Sequence, residues 1–180
     1  MKRTALLLAI SALPSLSFAA GTNTITFKGQ VSSQTCKVSV NGDQANPLIL
    51  LPTVSSSALS AKGSTAGETT FTIALRDCTA PTTDAQKINV MFGTNNVTSA
   101  GNLANTSGDA KNVALQLLPA PGSATPVVLS STGTTTVDGL TLALNQTSTS
   151  HDYAVRYISE AGSATTGSVG AQVQYSFSYL

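Results

Sequence analysis

Apolar residues recur at every second position along most of this chain. In the last such segment the alternating apolar positions are Val173, Tyr175, Phe177 and Tyr179. A period of two is typical of a β-strand with one buried face, because successive side chains point to opposite sides. No segment keeps the period of about 3.6 residues that an amphipathic helix requires. The pattern predicts an all-β protein.

The alternating segments are short and are separated by turn-forming residues. They lie within residues 36–40, 69–75, 88–92, 113–117, 127–129, 140–144, 153–157 and 173–179. Between them we expect a tight turn at 41–43, an apolar run at 47–52 buried on both faces and a surface connection at 55–67. Residues 93–109 suit a long loop that can include a short turn of helix. Short strands at this spacing favour one antiparallel β-sandwich.

The first 19 residues have the pattern of a secretory signal peptide. Lys2 and Arg3 precede an apolar stretch, and small residues at Ser17 and Ala19 suit cleavage after Ala19, with Ala20 as the alternative. The stretch is too short to span a bilayer comfortably. We therefore expect residues 1–19 to be removed during export.

Charge is scarce, with nine Lys and Arg against eight Asp and Glu. Losing Lys2 and Arg3 leaves seven cations and a net charge of −1. Nothing resembles the basic patch that holds a nucleic-acid backbone, so no nucleic-acid partner is expected.

The two cysteines, Cys36 and Cys78, lie in a chain destined for an oxidising compartment, which predicts one disulfide. On the chain-entropy model it would stabilise the fold by roughly 4 kcal/mol. With a single histidine, His151, the alternative of a zinc site is weak. We expect His151 to be a loop or surface residue, and the scattered acids suggest no catalytic pair. No enzyme activity, cofactor or metal is predicted.

Another alternating stretch, residues 23–31, lies between the cleavage site and Cys36. Its apolar positions share one face with a polar residue and a glycine, in the order Asn23, Ile25, Phe27, Gly29 and Val31. Such a strand can belong to its own domain or pair with another chain, and the pattern alone leaves both open.

Three separated features resemble pilin subunits of chaperone–usher fimbriae, most of all the major, shaft-forming subunits of type 1-like pili. The first is Ile25 to Val31 ahead of Cys36, and the second is the strand 71–77 that leads into Cys78. The third is the C-terminus, where Gly167 stands fourteen residues from the end and the aromatic Tyr179 is penultimate. The resemblance covers essentially the whole chain.

This resemblance implies an incomplete immunoglobulin-like sandwich that lacks its last strand. Residues 20–32 would be a donor-strand extension and 33–180 the pilin domain. Asn23, Ile25, Phe27, Gly29 and Val31 would fill a groove in the next subunit. The groove edge, read first by a periplasmic chaperone, would carry Gly167, Val173, Tyr175, Phe177, Tyr179 and Leu180. Export through the periplasm and an outer-membrane usher would place the polymer on the cell surface, where it supports adhesion.

Two other functions stay open at this level. One is a minor linker pilin, and the other is a stand-alone secreted carbohydrate-binding sandwich. The second needs aromatic residues grouped in loops, but this chain has no Trp and its Tyr residues fall in strand-like alternation. A two-domain tip adhesin is disfavoured, because one domain accounts for the length.

Overall fold

The structure, a computed structural model, describes residues 36–180. Predictions that concern residues 1–35, including the signal peptide and the donor strand, lie outside this range. The described strands are β1 (Lys37–Val40), β2 (Ser64–Arg76), β3 (Gln86–Gly93), β4 (Leu103–Ala104), β5 (Ala114–Leu118), β6 (Thr134–Leu142), β7 (Thr149–Ser159) and β8 (Gln174–Tyr179). One 3-10 turn spans Ser56–Leu59.

The strands form two antiparallel sheets. The larger has the order β1-β2-β7-β5-β4 and the smaller the order β6-β3-β8. Their inward side chains form one core that holds the alternating apolar residues of the sequence. Ile88, Val90 and Phe92 of β3 are at most 2% exposed, and Tyr153 of β7 packs against the rings of Phe71 and Phe92. The predicted antiparallel sandwich is confirmed.

The disulfide predicted between Cys36 and Cys78 is present. It joins the start of β1 to the end of β2, next to the antiparallel pair Lys37 and Arg76. An ion pair of 2.8 Å between the exposed side chains of Lys37 and Asp77 lies at the same corner. The disulfide therefore ties down the point at which residues 1–35 join the described domain.

The turn predicted at 41–43 is confirmed. Asn41 and Gly42 have positive φ angles, and Val40 and Asp43 exchange two backbone hydrogen bonds of 2.8 and 3.0 Å. Two positive φ angles in succession match the twist of a two-residue hairpin, which explains the Asn-Gly sequence.

Two predicted connections contain more structure than expected. Residues 55–67 include the 3-10 turn and the first residues of β2, and Leu59 is buried in the domain. Within 93–109, Leu103 and Ala104 pair with β5 as the short strand β4. Both predictions missed these elements for the same reason. Segments rich in small polar residues have no apolar periodicity from which a 3-10 turn or a short strand could be predicted, even where one leucine packs into the domain.

Two apolar segments also differ from prediction. The run at 47–52 is not buried on both faces, because Leu48 and Leu50 are 75% and 76% exposed. Residues 127–129 form no strand, since Val127 bonds to Leu117 and Leu129 to Gly101, which makes two isolated bonds rather than a ladder.

Candidate functional site

An open apolar groove of about 1200 Å³ lies between the two sheets at the surface. Its floor consists of core side chains that include Phe71, Ile73, Phe92, Leu115, Leu117 and Val155. One wall is formed by residues 45–51 and the other by residues 170–175. These floor side chains are at most 8% exposed, so the groove runs along the boundary of the buried core.

The first wall is part of residues 46–54, which belong to no strand. From Pro47 to Leu51 the side chains alternate between partly buried and exposed. No backbone hydrogen bond joins residues 46–54 to any other residue in the part of the chain that the structure describes. Ile49 and Leu51 pack against the core and line the groove, while Leu48 and Leu50 are exposed. Pro47 and Pro52 lack an N–H and bound the segment. Toward the other residues of 36–180 its peptide groups therefore make no strand ladder.

The second wall leads into β8. This strand pairs with β3 in a register that sets Tyr175 opposite Phe92 and Tyr179 opposite Ile88. No other strand among residues 36–180 pairs with β8, so it is an edge strand of the smaller sheet. An edge strand presents a row of hydrogen-bonding groups to which another chain can add.

Side-chain burial shows that the core is uncovered along β8. Tyr175 and Phe177 contact each other edge to face with ring centroids 5.8 Å apart, but both are only half-buried. The facing residues of β3, Phe92 and Val90, are almost completely buried. Aromatic rings on the inward side of a sandwich strand are expected to be buried. Tyr175 lines the groove, which accounts for its exposed surface, whereas Phe177 lies beyond the groove on the same strand.

The predicted groove-edge residues occupy three different environments. Val173 and Tyr175 line the groove, while Phe177 and Tyr179 continue along β8 as partly buried residues packed against the core. Leu180 is 70% exposed, and its N–H donates to the carbonyl of Lys87 at 3.1 Å. Gly167 lies ahead of the groove edge, against residues 109 and 110. The donor-strand residues lie outside the described range.

Sequence reasoning missed the first wall. Ile49 and Leu51 line the groove, yet four consecutive apolar residues at 48–51 hide the alternation that would have revealed one buried face. The flanking prolines were the available signal, because proline is confined to edge strands and strand ends.

His151 is in strand β7 and is partly buried, not in a loop or on the surface as expected. Its Nε2 lies 2.8 Å from the carbonyl oxygen of Pro119, and its ring centroid is 4.6 Å from that of Tyr153. A carbonyl can only accept, so Nε2 carries the proton. His151 is thus a structural residue that ties β7 to the end of β5.

Neither a metal centre nor a membrane-spanning helix is found in the described part of the chain. Within residues 36–180, no three His, Cys, Asp or Glu side chains are grouped so that they could hold a metal ion. The same residues include no helix with the length and hydropathy needed to cross a membrane.

Comparison with known proteins agrees with this architecture. The family model described as fimbrial protein matches residues 25–180. The chain is 39% identical to the F17 fimbrial protein of Escherichia coli, with 86% of each chain covered. It is 35% identical to the minor fimbrial subunit HifD of Haemophilus influenzae, over 97% of this chain and 82% of that protein.

The fold also matches a subunit in a solved structure of a chaperone–usher pilus. The TM-score is 0.57 at 18% identity, covering 92% of this chain and all of the other. The predicted immunoglobulin-like fold is therefore confirmed. The chain belongs to the fimbrial protein family and is a structural pilin subunit of surface fimbriae, not an enzyme.

Proposed function

We propose that this subunit polymerises by donor-strand exchange, in which residues 20–32 of one copy fill the groove of the next. The observation that carries the proposal is the groove itself, with a segment on one wall that has no backbone hydrogen bond to other residues of 36–180 and the edge strand β8 on the other. A strand added between them would find backbone partners on both sides and apolar side chains beneath.

The length and pattern of the extension suit this groove. The six residues of β8 extend about 20 Å, and thirteen extended residues can reach about 43 Å. Ile25, Phe27 and Val31 share one face, as a strand that covers an apolar floor requires. Gly29 falls on the same face and suits a place where the floor leaves no room for a side chain.

The energy of such a joint is substantial. Burying Ile25, Phe27 and Val31 contributes about 5–9 kcal/mol, at about 1.5–3 kcal/mol for each side chain. Each ladder hydrogen bond adds roughly 0.5–1.5 kcal/mol, and ordering the segment opposes the sum. Releasing one subunit requires stripping the whole strand at once.

The same groove calls for protection before assembly. An exposed apolar stripe beside an unpaired strand edge promotes aggregation unless it is covered. We infer that a periplasmic chaperone occupies the groove first, that an outer-membrane usher exchanges it for the next extension, and that the fibre supports adhesion. Because one chain carries both a donor segment and a groove, copies can add without limit, which favours a major, shaft-forming role.

The experiment is deletion of residues 22–31 in a strain that supplies chaperone and usher. We expect the deleted subunit to be recovered bound to the chaperone, because its groove is intact, while no fibres form, because it cannot donate. A synthetic peptide of residues 20–32 should then displace the chaperone from the deleted subunit. Fibres that still form from the deletion would overturn donor-strand exchange.

Fibres from the full-length strain should contain this chain as their most abundant component, whereas a trace amount would indicate a minor linker subunit.

A further inference from the structure

A second feature, which the groove does not explain, lies immediately ahead of β8. The loop 105–110 and the segment 168–170 are joined by a dense set of hydrogen bonds, and we call the two together the clip. The backbone N–H groups of Thr106 and Ala110 donate to the carbonyls of Gly170 and Ser168, at 2.9 and 3.1 Å. The two segments are about sixty residues apart in the chain, so only the fold brings them together.

Asn105 uses both ends of its side-chain amide within the clip. Its Oδ1 accepts from the N–H of Gly170 at 2.9 Å and from that of Gly108 at 3.0 Å. Its Nδ2 donates to the carbonyls of Ala110 at 3.0 Å and Ser168 at 3.3 Å. One side chain thus bonds to both segments of the clip.

Asp109 holds the other end of the segment. Its Oδ1 accepts from the N–H of Ser168 at 2.5 Å and from the Ser168 hydroxyl at 2.8 Å. The hydrogen bond from the Ser168 hydroxyl, and then that from its N–H, hold the pKa of the Asp109 carboxyl below its ordinary value. The carboxylate is therefore charged under ordinary conditions and accepts charge-assisted hydrogen bonds.

Gly167 shows how closely the segments approach. Its φ of +150° is one that other residues rarely adopt, and a Cβ there would lie 2.5 Å from the N atom of Ala110 and 2.6 Å from the Asp109 carboxylate. A side chain at 167 would therefore push the two segments apart. This contact explains why residue 167 is glycine. The family resemblance singled out Gly167 but gave no physical reason for it.

The clip ends where the groove wall begins. Gly170, the last residue of the clip, lines the groove, as do Ala171, Val173 and Tyr175 directly after it. The opposite wall, residues 46–54, has no backbone hydrogen bond to other described residues. Among residues 36–180, therefore, hydrogen bonds anchor the start of one wall, whereas the other wall is held only by the packing of its side chains.

We propose that Asn105 and Asp109 are positioning residues, which hold residues 168–170 so that the wall 170–175 is in place before an incoming strand binds. This inference rests on the proposed strand exchange and extends it. A wall that is already placed spares the incoming strand the cost of ordering it, which raises the rate of association. Once the strand is bound, its own ladder holds the wall, so dissociation depends little on the clip.

The test uses the full mature chain with Phe27→Asp, which disables its own extension, refolded from denaturant. The probe is a fluorescein-labelled peptide of residues 20–32, and stopped-flow anisotropy gives its association and dissociation rates. We expect Asp109→Ala to slow association about tenfold. This is the effect expected if, without the Asp109 carboxylate, the wall 170–175 adopts its binding conformation only about a tenth of the time. Dissociation should change by less than about twofold.

Two comparisons separate positioning from general stability. Asp109→Asn keeps an acceptor oxygen for Ser168 and should restore most of the association rate. Asp84→Ala, at an exposed aspartate in the turn before β3, should match the parent. If Asp109→Ala fails to fold, Ser168→Ala is the alternative. It removes the hydroxyl, which donates to the Asp109 carboxylate and accepts from the Asp109 N–H, but it keeps the bond from the Ser168 N–H. It should also slow association, by a smaller factor.

The outcomes distinguish the two proposals. A parent chain that does not bind the peptide would overturn strand exchange and the positioning role together. A parent that binds, with Asp109→Ala indistinguishable from Asp84→Ala, would overturn the positioning role alone. Faster dissociation at an unchanged association rate would also overturn it, because the clip would then act only after binding.

Discussion

Leu50 and Leu51 are consecutive residues on opposite faces of the groove wall. Leu50 is 76% exposed, whereas Leu51 is partly buried, packs against the core and lines the groove. Burial alternates in this way from Pro47 to Leu51, as it does where neighbouring side chains of a chain point in opposite directions. The pair provides a matched test of the wall.

Leu51→Asp should abolish strand binding, and Leu50→Asp should not. An aspartate at 51 would place a carboxylate against the apolar strand that fills the groove, where desolvation is costly. We expect the affinity for a peptide of residues 20–32 to fall by at least about a hundredfold, or about 2.7 kcal/mol. The same change at Leu50 should stay within about twofold in fluorescence anisotropy. Equal losses in the two variants would exclude residues 46–54 as a wall of the site.

Phe27→Asp and Thr26→Asp should separate the two faces of the donor strand. The alternation of residues 23–31 places Phe27 with the apolar positions and Thr26 with the polar ones. Phe27→Asp replaces a large side chain, proposed to be buried in the groove, with a charged one and should stop fibre formation. Thr26→Asp changes the polar face, and its fibres should remain visible by electron microscopy. Normal fibres from Phe27→Asp would show that this residue does not anchor the strand.

Tyr153→Phe should stabilise the subunit or leave it unchanged. The Tyr153 hydroxyl is buried and has no hydrogen-bond partner in the described structure, while its ring packs between those of Phe71, Phe92 and His151. Phenylalanine keeps the ring and removes the unsatisfied oxygen, for an expected gain of up to about 1–3 kcal/mol in urea unfolding. Tyr157→Phe, at a partly exposed ring in the same strand, is the control and should change little. A loss above about 1 kcal/mol in Tyr153→Phe would reveal a partner for the hydroxyl.

The same residue predicts a pH dependence. Desolvation, together with the nearby charge of Asp138, raises the pKa of Tyr153 to about 12 from its ordinary value near 10. Between those values the unfolded chain loses the proton and the folded chain keeps it, so folding stability falls as pH rises. The wild type should lose stability above pH 10 more steeply than Tyr153→Phe. Parallel curves for the two proteins would contradict the raised pKa.

Removing the disulfide should lower stability by about 4 kcal/mol, the chain-entropy value for a loop with a separation of 42 residues. The difference is measured as the free energy of unfolding in urea, for wild type and for Cys36→Ser/Cys78→Ser. Both proteins carry the peptide of residues 20–32 in the groove. The single variant Cys36→Ser controls for loss of one side chain and should resemble the double variant. A double variant as stable as wild type would show that β1 and β2 need no covalent link.

Much of the fold follows from local pattern. The alternation in β3, β7 and β8 identifies strands and their buried faces, because a period of two is a property of the backbone that each segment carries by itself. Cys36 and Cys78 follow from the export signal and their number. The turn at Asn41 and Gly42 needs only its own two residues. Resemblance to a known family then supplied the missing strand.

Local pattern could not reveal features that depend on contacts far apart in the chain. Leu48 and Leu50 look like Ile49 and Leu51 in sequence, and only packing against the core decides which pair faces inward. Sequence likewise gives no sign that Asp109 and Ser168, 59 residues apart, share three hydrogen bonds.

By itself, the sequence determined that the chain is all-β, disulfide-linked and similar to pilins, since these depend on period, composition and motif order. Only the fold shows that a groove lies between β8 and a segment with no backbone hydrogen bond to other residues of 36–180, and that a polar clip anchors one side. The physical reason is that strand pairing and burial are long-range. The sequence pattern around a residue shows that it can pair in a strand and be buried, whereas the fold decides which residues it pairs with and packs against.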